Sequence, residues 1–280
     1  MMADKRAERI AELIKPLRVK PGSMVNLAKD FDPGYMADFV KKKDGTGLLE
    51  TGIAMLADYQ ARLAAQDTYG VLVCLQALDA AGKDGTIRHV MSGVNPQGVQ
   101  VTGFKVPSAE ELDHDYLWRY ARHLPARGDI GIFNRSHYEE VLVVRVHPEN
   151  LDRQRLPAEA KGKGVWERRY REINDWERYL TDNGFKVVKL FLNLSKEEQR
   201  TRFLKRIDLP EKNWSSLRPT CANAAGGTTT RGRSRRCCRP PAPAGHRGTS
   251  SRRTASGSRA SAPPRYSCTP WSRSIRGTRW

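Results

Sequence analysis

The chain lacks any run of about 18 apolar residues, so no segment of it reads as a membrane-spanning helix. It also lacks a secretory signal. The opening residues, MMADKRAERIAELIKPL, put Ile10, Leu13, Ile14 and Leu17 at helical spacing with acids between them, and no small-residue cleavage site follows. A cytoplasmic protein is the expectation, and the Asn-x-Ser triplets at Asn134, Asn193 and Asn213 then carry no glycosylation meaning.

Three residue types are missing from residues 215–280. Lys, Asp and Glu do not occur there, whereas Arg occurs 14 times. Most of the net charge of +18 arises in this segment, because the first 214 residues hold 35 basic against 31 acidic side chains. The basic tail suggests nucleic-acid binding, but it has neither interleaved aromatics nor a recognisable module, so that reading stands only as an alternative. Four of the five cysteines (Cys221, Cys237, Cys238, Cys268) also lie there, in no standard zinc spacing with His246. Hydrophobic periods of 2 or 3.6 are absent. Two origins fit this composition. One is a natively disordered tail. The other is a reading-frame error, since out-of-frame GC-rich codons give mainly Arg, Pro, Ala, Gly, Ser and Thr.

Before Trp214, strand and helix patterns alternate. Leu49, Ile53, Leu56 and Leu63 predict a helix over residues 49–66. VLVCLQAL (71–78) is a continuous apolar run of strand length, which suits a central parallel strand buried on both faces. Further strands are predicted at 99–106, 129–133 and 185–194. Helices are predicted after residue 85, over 110–124, over 165–181 and from a Ser195–Glu198 capping box to about Ile207. This order argues for a three-layer α/β domain with a parallel sheet. Residues 1–48 form an N-terminal extension, 49–214 the domain with a helical lid from about 195, and 215–280 the tail.

The segment QALDAAGKDGT (76–86) departs from the common phosphate-loop pattern twice: Ala77 replaces the first glycine, and Asp84 follows Lys83 where a hydroxyl is usual. Its setting, strand then Gly-Lys loop then helix, is nevertheless the right one. Backbone N–H groups of Ala80, Ala81, Gly82, Lys83, Asp84, Gly85 and Thr86, together with the helix N-terminus, are expected to cradle phosphate. With no hydroxyl at position 84, Asp79 is the oxygen donor within reach of magnesium. At the end of the third strand, Asn134 offers a neutral oxygen and Arg135 a cation for a transferring phosphate; a helix cap followed by a surface arginine is the plainer reading. Lys196, Gln199, Arg202, Lys205 and Arg206 recur at three- and four-residue spacing, which gives either a solvated face or a lid over a polyanion. The histidines His89, His114, His123, His137 and His147 show no metal-ligand spacing.

Taken together, DAAGKDGT, HVMSGVNPQGV, FKVPSAEELDHDYLWR, GDIGIFNRSHYEEVLVVRVHPE and FLNLSKEEQRTRFLKRIDLPEKNW resemble the type-2 polyphosphate kinase family from about residue 15 to Trp214. The resemblance implies a thymidylate-kinase-like P-loop kinase fold. It implies magnesium-dependent phosphoryl transfer between inorganic polyphosphate and AMP or ADP, and the Asn-Arg-Ser form resembles the branch that uses both nucleotides. It assigns Asp79 and the Asn134 position to the magnesium–phosphate centre, Lys83 and Arg135 to the phosphates, and Glu139 to an acid beside them. Lys196, Arg202 and Arg206 fall to a lid bordering a polyphosphate channel, and Lys105 and Arg119 lie in matching motifs. An ATP-dependent nucleotide kinase is the alternative enzyme. Polyphosphate and AMP, ADP or ATP are the expected partners. The family pattern continues past Trp214 with lid, strand and helix segments that this chain replaces, which puts subunit contacts of a homo-oligomer in question.

Overall fold

The computed structural model describes residues 2–20, 22–36 and 45–208; the tail lies outside them. The compact unit considered below runs to Arg202, and residues 203–208 belong to a second unit. In chain order the elements are α1 (Met2–Ile14), α2 (Leu27–Asp30), α3 (Thr46–Gln66), β1 (Gly70–Ala77), α4 (Lys83–Val90), β2 (Val99–Gly103), α5 (Ala109–Asp113), α6 (Trp118–Ala121) and β3 (Ile130–Asn134). There follow α7 (Glu139–Val146), α8 (Glu149–Arg153), α9 (Ala158–Lys161), α10 (Val165–Asp182), β4 (Phe185–Leu192) and α11 (Lys196–Asp208).

The four strands form one parallel sheet in the order β2-β3-β1-β4. β1 pairs with β3 from Val71↔Ile130 to Leu75↔Asn134 and with β4 from Gly70↔Phe185 to Ala77↔Leu192. Its apolar run is explained by this central place: Leu72, Cys74 and Leu75 are all at most 2% exposed. Burial also pushes the Cys74 thiol well above its ordinary range, so it behaves as a small core hydrophobe.

One face of the sheet carries the main core, in which Leu72, Cys74 and Phe133 meet Phe104, Tyr120 and Leu180, with Trp176 and Val187 at its margin. The rings of Phe104 lie 4.5 Å from Tyr120 and 4.9 Å from Phe133, close to the offset and edge-on geometries that aromatic pairs favour. Each of these side chains stabilises the fold by about 1.5–3 kcal/mol through burial.

Two expectations need correction. The helix predicted over 110–124 is broken into α5 and α6. His114 is extended (φ −105°, ψ 174°), and the chain restarts where Leu117 N–H donates to Asp115 Oδ1 at 2.9 Å. The break lets His114 stack on Trp118 at 3.9 Å and lets the Tyr116 hydroxyl donate to Glu172. The strand predicted over 99–106 ends at Gly103, because Phe104 turns into the core while its N–H bonds Asn134 O at 3.2 Å.

The strand order positions the site. From β1 the chain passes beyond β3 to reach β2, whereas from β3 it passes beyond β1 to reach β4. Right-handed crossovers in opposite directions put their helices on opposite faces, which opens a crevice at the carboxyl ends of β1 and β3.

Candidate active site

The loop between β1 and α4 opens that crevice. Ala80 is buried with φ +67°, and Gly82 caps α4 with φ +95°. Two left-handed residues in three fold the loop back on itself, so Ala81 N–H reaches Leu78 O at 3.1 Å and Thr86 N–H reaches Gly82 O at 2.9 Å. A Cβ at Gly82 would meet only Arg202 Nη1 at 3.5 Å, so the requirement for glycine there is one of backbone angle. Lys83, the first residue of α4, curls back to donate its Nζ to Ala77 O at 3.2 Å. Thr86 turns its hydroxyl to Gly82 O at 3.2 Å, inside its own helical turn.

The chain leaving β3 supplies the opposite wall. Asn134 ends the strand, and Arg135 takes the left-handed conformation (φ +67°) with its N–H bonded to Leu75 O at 3.1 Å. This turn swings the guanidinium toward the phosphate loop, where Nη2 stands 3.9 Å from Asp79 Oδ1. Asn134 Nδ2 donates to Asp84 Oδ1 at 2.6 Å. Glu139 begins α7, and Gln76 at the end of β1 hydrogen-bonds its carboxyl. The same amide donates to Ser136 Oγ at 3.1 Å, and Ser136 is fully buried.

Burial lowers the Lys83 pKa below the ordinary lysine range, and the Arg135 charge adds to this, against the pull of Asp79, Glu139 and Asp84. Burial raises Glu139 above the ordinary carboxylate range; Arg135, Lys83 and the Gln76 hydrogen bond oppose it. Asp79, Lys83, Asp84, Arg135 and Glu139 therefore form one electrostatic unit, to which Asn134 is joined through Asp84.

Behind the Arg135–Glu139 turn lies a support that sequence reading missed. Glu177 of α10 accepts from His137 Nε2 at 3.0 Å, Tyr138 Oη at 2.7 Å and Lys189 Nζ at 2.8 Å. Burial raises its pKa, but the His137 and Lys189 contacts outweigh that and hold it at about 2. An acid at that point of a charged helix reads from sequence as solvated, and only the fold shows it turned inward.

The residues expected to form a lid divide. Lys196 is exposed at the start of α11, and Glu198 N–H caps on Ser195 Oγ at 3.1 Å. Arg202 pairs with Glu198 at 2.7 Å and donates from Nη1 to Ala80 O and Ala81 O of the phosphate loop. The side chain of Arg206 lies outside the described residues. Lys105 follows Phe104, whose N–H bonds Asn134 O at 3.2 Å, and Arg119 reaches the Lys105 carbonyl from α6. Arg119 is 6% exposed, donates to Lys105 O at 2.8 Å, pairs with Glu111 and lies over the Phe104 and Tyr120 rings. That is the geometry of a core brace; the Lys105 side chain points to solvent.

Among the described residues no cluster of three or more His, Cys, Asp and Glu forms a metal cage, and no helix is long and apolar enough to cross a membrane. Magnesium, however, ordinarily uses one or two carboxylates together with substrate phosphates. The centre suits that mode, because three carboxylates (Asp79, Asp84, Glu139) outnumber two cations (Lys83, Arg135), and Asp79 meets Arg135 only loosely.

The comparisons with known proteins agree with this geometry. Residues 40–222 match the family described as polyphosphate kinase 2. An ADP-polyphosphate phosphotransferase of Rhodopseudomonas palustris is 54% identical over 204 residues, covering 71% of this chain and 69% of the relative. An AMP/ADP-polyphosphate phosphotransferase of Meiothermus ruber is 47% identical over 204 residues, covering 72% and 71%. Among solved structures, a polyphosphate kinase 2 from Arthrobacter aurescens superposes with a TM-score of 0.65 at 41% identity, covering 75% of this chain and 72% of that one. With a family match over residues 40–222 and 47–54% identity over about seven tenths of two such enzymes, the chain belongs to the polyphosphate kinase 2 family.

Proposed function

We propose that this chain transfers a phosphoryl group between inorganic polyphosphate and an adenine nucleotide, converting AMP to ADP and ADP to ATP. The observation that carries the reading is the convergence of Lys83 and Arg135 on one loop with Asp79, Asp84 and Glu139 around them. Phosphoryl transfer is mainly positioning and charge neutralisation, and this centre supplies both without a nucleophile. The N-terminus of α4 and the loop N–H groups receive a phosphate chain. Lys83 and Arg135 hold the phosphates on either side of the bond that breaks. Glu139, anchored by Gln76, keeps both cations in place. Asp79 would hold magnesium, which would supply further neutralisation of phosphate charge. Arg202 and Lys196 face the polyphosphate, whose charge of about one per unit calls for cations along its path (compare the counterion argument for nucleic acids). Residues 49–214 act as the catalytic domain, in the cytoplasm where nucleotides and polyphosphate meet.

Incubation of the full chain with ADP, polyphosphate and magnesium tests this by chromatography of the nucleotides. ATP is expected only when polyphosphate and magnesium are both present. Phosphorylation of AMP by ATP at the same rate with no polyphosphate would make the chain an ordinary nucleotide kinase instead.

A further inference from the structure

α11 meets the phosphate loop through the loop's carbonyl groups. Gln199 Nε2 donates to Asp79 O at 2.8 Å, and Arg202 Nη1 donates to Ala81 O at 3.0 Å and to Ala80 O at 3.3 Å. One helix thus holds three consecutive loop carbonyls from about 120 residues away in sequence. In a trans peptide the N–H points opposite the preceding C=O. Fixing Asp79 O and Ala81 O toward α11 therefore turns the N–H groups of Ala80 and Gly82 to the other side, while Ala81 N–H is taken by Leu78 O. Outward carbonyls and inward N–H groups are what an anion-binding nest requires. The loop does not hold this shape from its local sequence alone, because Ala80 sits at φ +67°. A left-handed L-residue costs about 1–2 kcal/mol, and the donors from α11 offset it.

We propose that Gln199 is a positioning residue of the phosphoryl-transfer site: by holding the Asp79 carbonyl it fixes the loop so that Ala80 N–H, Gly82 N–H and the Asp79 carboxylate face the phosphates together. The proposal rests on the polyphosphate reading above. Arg202 shares the brace, but its charge also suits polyphosphate directly. Gln199 is neutral, and so separates loop geometry from simple attraction.

The test is Gln199→Met in the full chain, which keeps side-chain length and helix propensity and removes the donor. Backbone hydrogen exchange over residues 79–83 is expected to quicken about three- to tenfold, the worth of one net hydrogen bond, with exchange in β1 unchanged. Tripolyphosphate with magnesium, titrated calorimetrically at several salt concentrations, is expected to bind more weakly by a similar factor with an unchanged salt slope. Turnover is expected to fall while KM for ADP stays constant. Gln199→Glu, which sets an acceptor against the carbonyl, is expected to quicken exchange over 79–83 more strongly. Wild-type exchange over 79–83 in both variants overturns the proposal, as does weaker tripolyphosphate binding by Gln199→Met with exchange over 79–83 unchanged, which marks a direct ligand contact instead. If the wild-type chain fails to bind tripolyphosphate, the polyphosphate reading falls, and faster exchange in the variants still supports the loop brace.

Discussion

Asn134 Nδ2 donates to Asp84 Oδ1 at 2.6 Å, joining the end of β3 to the first turn of α4. Two oddities of the sequence answer each other here. Asp84 stands where a hydroxyl usually follows the loop lysine, and Asn134 stands where an acid would be the stronger magnesium ligand. An amide can donate to a carboxylate, whereas a second carboxylate in its place would repel it. Asn134→Asp is therefore expected to lower kcat/KM by about tenfold or more, on the scale of a lost charged hydrogen bond. The double exchange Asp84→Asn with Asn134→Asp is expected to recover most of the loss. Steady-state kinetics of the three variants decide it, and equal defects in the single and double variants would show that the pair does not act as a unit.

Lys83 reaches Ala77 O at 3.2 Å and is set among Asp79, Asp84, Glu139 and Arg135. It is the one lysine that can neutralise phosphate from within the loop. Lys83→Met is expected to reduce turnover by roughly 100-fold or more, the scale seen when a charge-stabilising group is removed from a transfer site. Thermal unfolding should change little, because a long apolar side chain can occupy the same space. Residual turnover within a few-fold of wild type would remove Lys83 from the phosphates' path.

Glu139 gives the site a pH dependence with a definite sign. Burial raises its pKa, and Gln76 works against that by hydrogen-bonding the ionised form. As pH falls through this raised value the carboxylate is lost, and with it the restraint on Lys83 and Arg135. The acid limb of the kcat/KM profile is therefore expected above the ordinary carboxylate range. Gln76→Leu should move it further toward neutral pH, by about one pH unit for a hydrogen bond of about 1.4 kcal/mol. Profiles measured from pH 4.5 to 8 check this; an acid limb unmoved by Gln76→Leu would show that Glu139 ionisation is not what the profile reports.

Much of this arrangement was legible from residue order. The apolar run over 71–78 and the Gly-Lys loop after it mark where a phosphate loop would lie, because strand, loop and helix N-terminus are local features. The β3 turn was legible in part. Asn134 and Arg135 stood out by residue type, but the left-handed Arg135 that aims its side chain at Asp79 depends on the Leu75 carbonyl across the sheet. Gln76 and Glu177 were not legible as site residues, and Gln199 was legible only as a member of a possible lid face, not as a partner of the loop backbone. Each acts across 60, about 40 and 120 residues of sequence respectively, through pairings that no local period encodes. The motif of Arg119 gave it no definite role, and the fold shows it packed against Phe104 and paired with Glu111 as a brace.

Glu177 ties stability to pH in the same region. Its side chain is 10% exposed, and it accepts from His137, Tyr138 and Lys189. The folded pKa of about 2 lies below the unfolded value of 4.5, so the ionised form is the one the fold favours. The resulting stability, roughly 3 kcal/mol by linkage, is present in full above pH 4.5 and is lost as pH falls toward 2. Burial meanwhile lowers the His137 pKa, so its protonation in the unfolded chain removes further stability on acidification below about 6.5. Glu177→Gln is expected to lower unfolding stability by about 2–4 kcal/mol at pH 7. That deficit should shrink progressively from pH 4.5 downward, as the wild-type carboxylate is protonated. Urea unfolding of both proteins at pH 7, 4 and 3 measures it. A deficit of the same size at all three values would mean that Glu177 supports the β3 turn by packing alone, with no stabilisation from its charge.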